Sequence, residues 1–308
     1  MDSRTQKGPQ TPKPSADVVH GEPARNITAA GATAARGTTV VAVPIRSPHD
    51  PVLVAACRTP VGTAGHAFAG LTVTELAAPV LAEAARRAAP LGLPVTEVVL
   101  GNCLGPGGNV GRIASLAAGL GIEVPAMTVD RQCGSGLEAV RLAAALVREA
   151  AARNDGGPAP LVLAGGAESA STAPWRFWPP GPGETPPRAG VGSLRRYERA
   201  PFAPAGFPDP EMGPAADRLA RERGLSRERQ DAYAARSHRR ALAAMETPEY
   251  AELVVPVNGV RADQRPRAMT AERLATLRPA FAGSGTPSQP AAKQPRSAQP
   301  AAESPAGL

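Results

Sequence analysis

The chain has 308 residues, with 34 Lys and Arg against 27 Asp and Glu and a formal net charge of +7. That length allows one large domain or two ordinary ones. No apolar run approaches the ~18–20 residues of a membrane span, and the N-terminus lacks the apolar core of an export signal. Three cysteines, Cys57, Cys103 and Cys133, form neither a disulfide framework nor a zinc-binding spacing, so no metal is expected and the chain reads as cytoplasmic with reduced thiols. Twelve arginines fall between Arg188 and Arg240, which makes either a solvated basic surface or one that attracts a phosphorylated ligand. Nucleic acid is not expected, because aromatics are only 3% of the chain and do not interleave with the basic residues.

Residues 1–49 are rich in Pro, Ala, Gly and Thr and read as a disordered N-terminal tail, with one short extended piece at Val40–Val43. Order is expected from about residue 50. Val52–Ala56 reads as a buried strand and Thr74–Arg87 as a helix capped by Thr74. Val95–Leu100 is a second strand, Arg112–Leu120 a short helix stopped by Gly121, and Pro125–Val129 a third strand. Gly134–Arg153 is a long helix and Ala159–Ala164 a fourth strand closed by Gly165-Gly166. This alternation predicts an α/β fold, a mostly parallel sheet covered by helices on both faces.

The pattern then breaks into a loop-rich insertion, about 172–250, that carries both tryptophans, Trp175 and Trp178. Within and after it come a helix over Arg227–Met245 capped by Ser226, a strand over Leu253–Val257, and a short helix over Ala271–Leu277 capped by Thr270. Residues 287–308 hold five prolines and a single large aliphatic residue, Leu308, and read as a disordered C-terminal tail.

Chemistry concentrates in Val129-Asp130-Arg131-Gln132-Cys133-Gly134-Ser135-Gly136. A strand runs into a turn and a helix begins at the cysteine, where unpaired N–H groups and the helix dipole favour a thiolate. Gly134 and Gly136 leave room for an acyl group to approach. On spacing alone the cysteine reads either as a nucleophile or as a small buried hydrophobe. Cys57 and Cys103, each beside a buried strand, read as structural.

Several further stretches occur in fixed order: Arg58-Thr59-Pro60 with Gly62, Gly101-Asn102, Gly108-Asn109 with Arg112, and Gly165-Gly166-Ala167-Glu168-Ser169 with Ser171 and Pro174. Met212-Gly213, Ser226-Arg227, Gln230-Asp231, Arg236-Ser237-His238, Thr270, Glu272 and Leu277-Arg278-Pro279-Ala280-Phe281 follow. Together with the Cys133 motif, this combination over about residues 50–286 resembles the thiolase family, N-terminal half.

The resemblance implies a thiolase-like N-terminal domain over 50–286. It also implies an acyltransferase that moves an acyl group between acyl-CoA, Cys133 and a second acyl-CoA or CoA. Coenzyme A thioesters would be substrates, with no separate cofactor. Cys133 matches the acyl-thioester nucleophile, with its backbone N–H as one oxyanion donor. Met212 matches the residue beside the acyl and pantetheine pocket, and Ala280 and Phe281 match residues that pack on CoA. The family's arginine near the adenine falls at Pro266, so its neighbours Arg265 and Arg267 are the candidates to replace it. Glu211 stands where many members have histidine. For Met212 and Phe281, plain packing is the alternative.

The family's Asn-Glu-Ala-Phe, Gly-His-Pro and Cys-x-Gly-Gly-Gly segments have no counterpart in this chain, and the change of composition at Thr286 reads as a truncation or a frameshift. None of His20, His49, His66 and His238 has the catalytic context. The expectation is a chain weak or inactive alone in carbon–carbon bond formation. Partners would be a second copy in a homodimer, through the strand at Pro125–Val129, or a thiolase subunit. The alternative readings are a non-catalytic CoA-binding or assembly module and a gene product without function.

Overall fold

The computed structural model describes residues 50–153, 156–183, 194–197 and 199–281. The two segments read as tails, 1–49 and 287–308, and the piece at Val40–Val43 lie outside the described residues.

Three strands, β1 (Val95–Gly101), β2 (Ala126–Val129) and β3 (Leu161–Gly166), form a parallel sheet in the order β2-β1-β3. Val98 stands opposite Ala126 on one side and Leu163 on the other. Successive strand residues point to opposite faces. Val98, Leu100 and Leu163 join Val73, Ala77, Leu81, Val110 and Ala114 in one core cluster, supplied by α1 (Val73–Ala88) and α2 (Val110–Ala117). Val99, fully buried, points the other way, toward the face covered by α3 (Ser135–Arg153), whose Ala139 and Ala143 are buried. The expected α/β fold with helices on both faces is therefore the observed one.

Some boundaries differ from the sequence reading, for local reasons. The first helix is capped by Thr72, not Thr74. Thr72 accepts from Glu75 N at 3.3 Å while Glu75 Oε2 accepts from Thr72 N at 2.8 Å, a complete capping box. The second helix starts at Val110, because the Asn109 side chain caps it by accepting from Arg112 N at 3.1 Å, and it ends at Ala117.

Two expected strands are absent. Residues 52–56 join no ladder, and Leu53 is 85% exposed. The backbone from Arg58 onward is claimed elsewhere: Arg58 N donates to Leu253 O at 3.0 Å, and Val255 N donates to Arg58 O at 2.8 Å. A cavity of about 1470 Å³ separates residues 50–58 from the outer edge of β3, with Leu76, Leu81, Val140 and Val147 in its walls. Leu253–Val257 is not a strand either. Its first residue ends a short helix, Pro248–Leu253, and the chain then turns back at Asn258-Gly259, both at positive φ, 48° and 78°. Val257 and Val260 exchange both backbone hydrogen bonds across that turn, at 3.2 and 2.9 Å.

The insertion contributes an antiparallel pair of two-residue strands, β4 (Arg176–Phe177) with β5 (Arg196–Tyr197). Trp175 stands beside it with the Arg196 guanidinium 4.3 Å from its ring centroid. Four helices complete the described chain: α4 (Met212–Glu222), α5 (Arg227–Met245), α6 (Pro248–Leu253) and α7 (Ala271–Ala275). Ser226 caps α5 and Thr270 caps α7, as read from the sequence. Among the described residues no helix is long and apolar enough to cross a membrane.

Candidate functional site

The Cys133 turn lies at the carboxyl ends of the parallel strands, where the loops of such sheets gather ligand-handling groups. Gln132 takes φ +52°, in the left-handed region, at a cost of about 1–2 kcal/mol for a residue with a Cβ. A web of short contacts offsets it. Gln132 N donates to Asp130 Oδ1 at 2.8 Å, Ser135 Oγ donates to Gln132 O at 2.6 Å, and Arg131 N donates to Ser135 Oγ at 2.8 Å. Glu138 N donates to Gly134 O at 2.9 Å as the first turn of α3 closes. Cys133 therefore stands just outside that helix start with its thiol exposed. Arg141 first, then Arg131, pair with Glu138 and hold its carboxyl down at about 2.

Glycines let the start of α3 press onto the strand ends. A Cβ on Gly101 would lie 2.3 Å from the Ser135 carbonyl carbon, and one on Gly166 would lie 3.0 Å from Gly136 Cα. A Cβ on Gly136 itself would make only ordinary contact with Gly166, at 3.5 Å. A Cβ on Gly134 would meet only Arg131 O, at 3.3 Å.

The other motifs hold the frame. Asn109 Nδ2 donates to Ala126 O at 2.7 Å, and Arg112 donates to Val124 O and Ile122 O at 2.5 and 2.8 Å, fixing the entry to β2. Ser169 and Thr172 donate to Leu71 O at 2.8 and 3.1 Å. Cys57 is half-buried, donates to Val80 O at 3.4 Å, and has its pKa raised by burial.

The candidate CoA residues fall into two groups. Met212, 68% exposed, opens α4, and the Phe281 ring lies over the neighbouring Gly213, where a Cβ would meet it at 2.1 Å. Phe281 is placed from α5: Arg227 pairs with Asp231 at 2.9 Å and donates to Leu274 O and Leu277 O at 2.7 and 3.0 Å. Ala280 is exposed beside Phe281. Arg267 lines a second cavity, about 660 Å³, with Arg236, Arg239 and Met269. Its backbone N donates to His238 Nδ1 at 3.4 Å. Arg265 is exposed and outside that cavity. Arg236 and Arg239 were missed as candidates; their signal was the i, i+3 spacing of basic residues on one helix. Among the described residues no hydrogen bond or ion pair joins either group to Cys133, and no cluster of His, Cys, Asp or Glu is arranged to hold a metal ion.

Comparison with known proteins bears on the family and the fold. Residues 51–292 match the model of the thiolase N-terminal domain. An acetyl-CoA acetyltransferase of Pseudomonas aeruginosa is 38% identical over 250 residues, 77% of this chain and 61% of that protein. The crystal structure of the Bacillus anthracis acetyl-CoA acetyltransferase superposes with a TM-score of 0.63 at 35% identity, covering 76% of this chain and 59% of that one. The chain thus spans about three-fifths of the length of these relatives.

Proposed function

Because the chain belongs to the thiolase family, we propose that it is an acyltransferase in which Cys133 Sγ takes an acyl group from an acyl-CoA thioester. The observation that carries this reading is the exposed thiol just outside the start of α3. The sulfur forms a bond to the thioester carbonyl carbon, negative charge gathers on the carbonyl oxygen, and the carbon–sulfur bond to CoA breaks. CoA leaves as a thiolate and takes up the proton lost by Cys133. The Cys133 N–H and the positive end of α3 favour that transient oxyanion. Free CoA then collects the acyl group as a thioester and returns its thiol proton to Cys133 Sγ; collection by a second acyl-CoA requires that a base first remove its α-proton.

Met212, Ala280 and Phe281 supply an apolar bed for the pantetheine arm. Arg267 with Arg236 and Arg239 supplies positive charge for the phosphates, and exposed Arg265 adds to that field. The reaction uses coenzyme A thioesters as substrates and needs no further cofactor. Acyl-CoA and CoA are the partners, and the cytoplasm is the compartment that supplies them with free thiols. A homodimer through the edge strand β2 is the assembly proposed.

A second reading, an assembly module that pairs with a thiolase subunit, is favoured by the outer edge of β3, which pairs with no strand among the described residues, and the cavity beside it. The test is to incubate the protein with acetyl-CoA and map adducts by mass spectrometry, with Cys133→Ala as control. Acetylation confined to Cys133 is the expected result. Absence of an adduct on a folded protein overturns the acyltransferase reading and leaves the assembly reading.

A further inference from the structure

We propose that Cys103 and Glu168 are positioning residues that aim the Cys133 backbone N–H, by gripping the carbonyl of Gln132 on the other side of the same peptide unit. The proposal deepens the reading of Cys133 as an acyl acceptor and rests on it.

The Glu168 carboxylate gathers four donors from the loop that leaves β1. Oε1 accepts from Asn102 Nδ2 at 2.9 Å, and Oε2 accepts from Cys103 N, Cys103 Sγ and Leu104 N at 3.0, 3.1 and 3.1 Å. The loop is also tied to both neighbouring strand ends. Asn102 N donates to Val129 O at 3.0 Å, and Asn102 Nδ2 donates to Ala167 O at 3.0 Å. Arg176 Nη2 donates to Cys103 O at 3.1 Å. Cys103 is therefore held from several sides, and its thiol lies between two acceptors, Glu168 Oε2 at 3.1 Å and Gln132 O at 3.6 Å. Burial first, then the hydrogen bond to Glu168, push that thiol up to about 11. At neutral pH it keeps its proton and acts as a donor, not as a nucleophile.

Gln132 O accepts from Ser135 N at 3.0 Å and Ser135 Oγ at 2.6 Å, and the Cys103 thiol, whose one proton is shared between Glu168 Oε2 at 3.1 Å and Gln132 O at 3.6 Å, adds a third and weaker contact. The peptide between Gln132 and Cys133 is trans, so its C=O and N–H point in opposite directions within one plane. Fixing the carbonyl therefore fixes where the Cys133 N–H points. That N–H is the oxyanion donor of the proposed reaction, and aim matters more for it than presence.

The test compares two reactions of the same sulfur in the full chain. Acylation by p-nitrophenyl acetate forms a bond from sulfur to the carbonyl carbon, passes through an oxyanion and releases p-nitrophenolate. Alkylation by iodoacetamide displaces iodide and forms no oxyanion. Rates at Cys133 are read by peptide mass spectrometry for the native protein, Cys103→Ala, Cys103→Ser and Glu168→Gln, with melting curves beside them.

Cys103→Ala and Glu168→Gln should slow acylation about tenfold while alkylation stays within about twofold of native. Cys103→Ser, which keeps a donor, should recover most of the acylation rate. Unchanged acylation in Cys103→Ala overturns the proposal. So does a parallel fall in both reactions that serine does not rescue, because that marks general loosening. If acetyl-CoA leaves the native protein unmodified but the ester pattern holds, the CoA reading fails and the positioning role stands.

Discussion

Arg58 and Asp263, 205 positions apart, meet as a parallel pair: Nη1 to Oδ1 at 2.8 Å and Nη2 to Oδ2 at 2.9 Å. Asp263 Oδ1 also accepts from Val61 N at 2.7 Å, Tyr250 Oη accepts from Asp263 N at 2.9 Å, and the Arg58 guanidinium lies 5.3 Å from the Tyr250 ring centroid. The Arg-Thr-Pro motif is thereby locked to the segment after α6. The Arg58 hydrogen bonds outweigh burial and lower the Asp263 pKa below its ordinary 3.8. A depressed carboxylate contributes stability that is complete above its unfolded value and is lost as pH falls through the folded one. Asp263→Asn should therefore cost about 2 kcal/mol near neutral pH, and the loss should shrink below about pH 4. Urea melts across that range check it; a constant difference down to strong acid contradicts it.

Gly101 and Gly213 predict opposite outcomes for the same substitution. A methyl on Gly101 runs into the Ser135 backbone at 2.3 Å, and neither side is free to yield. Gly101→Ala should cost about 1–3 kcal/mol and disturb the Cys133 turn, read as a lower melting temperature with altered alkylation of Cys133.

At Gly213 the obstacle is the Phe281 ring, the far end of a side chain 45% exposed. Gly213→Ala sits inside α4 and should leave stability unchanged or raise it by up to about 1 kcal/mol. The displaced ring should weaken CoA binding, measured by calorimetry. Unaltered affinity would remove Phe281 from the proposed CoA bed.

Ser115 is fully buried in α2, and its Oγ has no hydrogen-bond partner among the described residues. Leaving a buried hydroxyl unpaired costs about 1–3 kcal/mol, so Ser115→Ala should stabilise the protein by about 1 kcal/mol, visible as a raised denaturation midpoint. A lower midpoint would mean that the hydroxyl has a partner in solution.

Where periodicity and caps agree, the fold was legible in the sequence: α5 runs over the residues its pattern indicated, and α3 begins one residue after its expected start. Cys133 at a helix mouth was legible for the same reason, a strand followed by a glycine-rich turn. Missed details had local signals that were passed over, the Thr72-Val73-Thr74-Glu75 capping box and the Asn258-Gly259 turn. The failed strand at 52–56 had no such signal. Its residues suit a strand, but strand formation needs a neighbour to accept the backbone hydrogen bonds, and a single segment does not say whether that neighbour exists. The Glu168 grip was hidden likewise, since its donors lie more than 60 positions away.

The rim of β3 bears on how the protein should be handled. Among the described residues its amides and carbonyls have no strand on the far side, and Leu53 faces solvent nearby. Such a margin captures any aliphatic peptide that can lie along it, including a sibling molecule. Concentrating a preparation should therefore drive clumping, and a short strand-like additive should hold the sample clear at the same concentration.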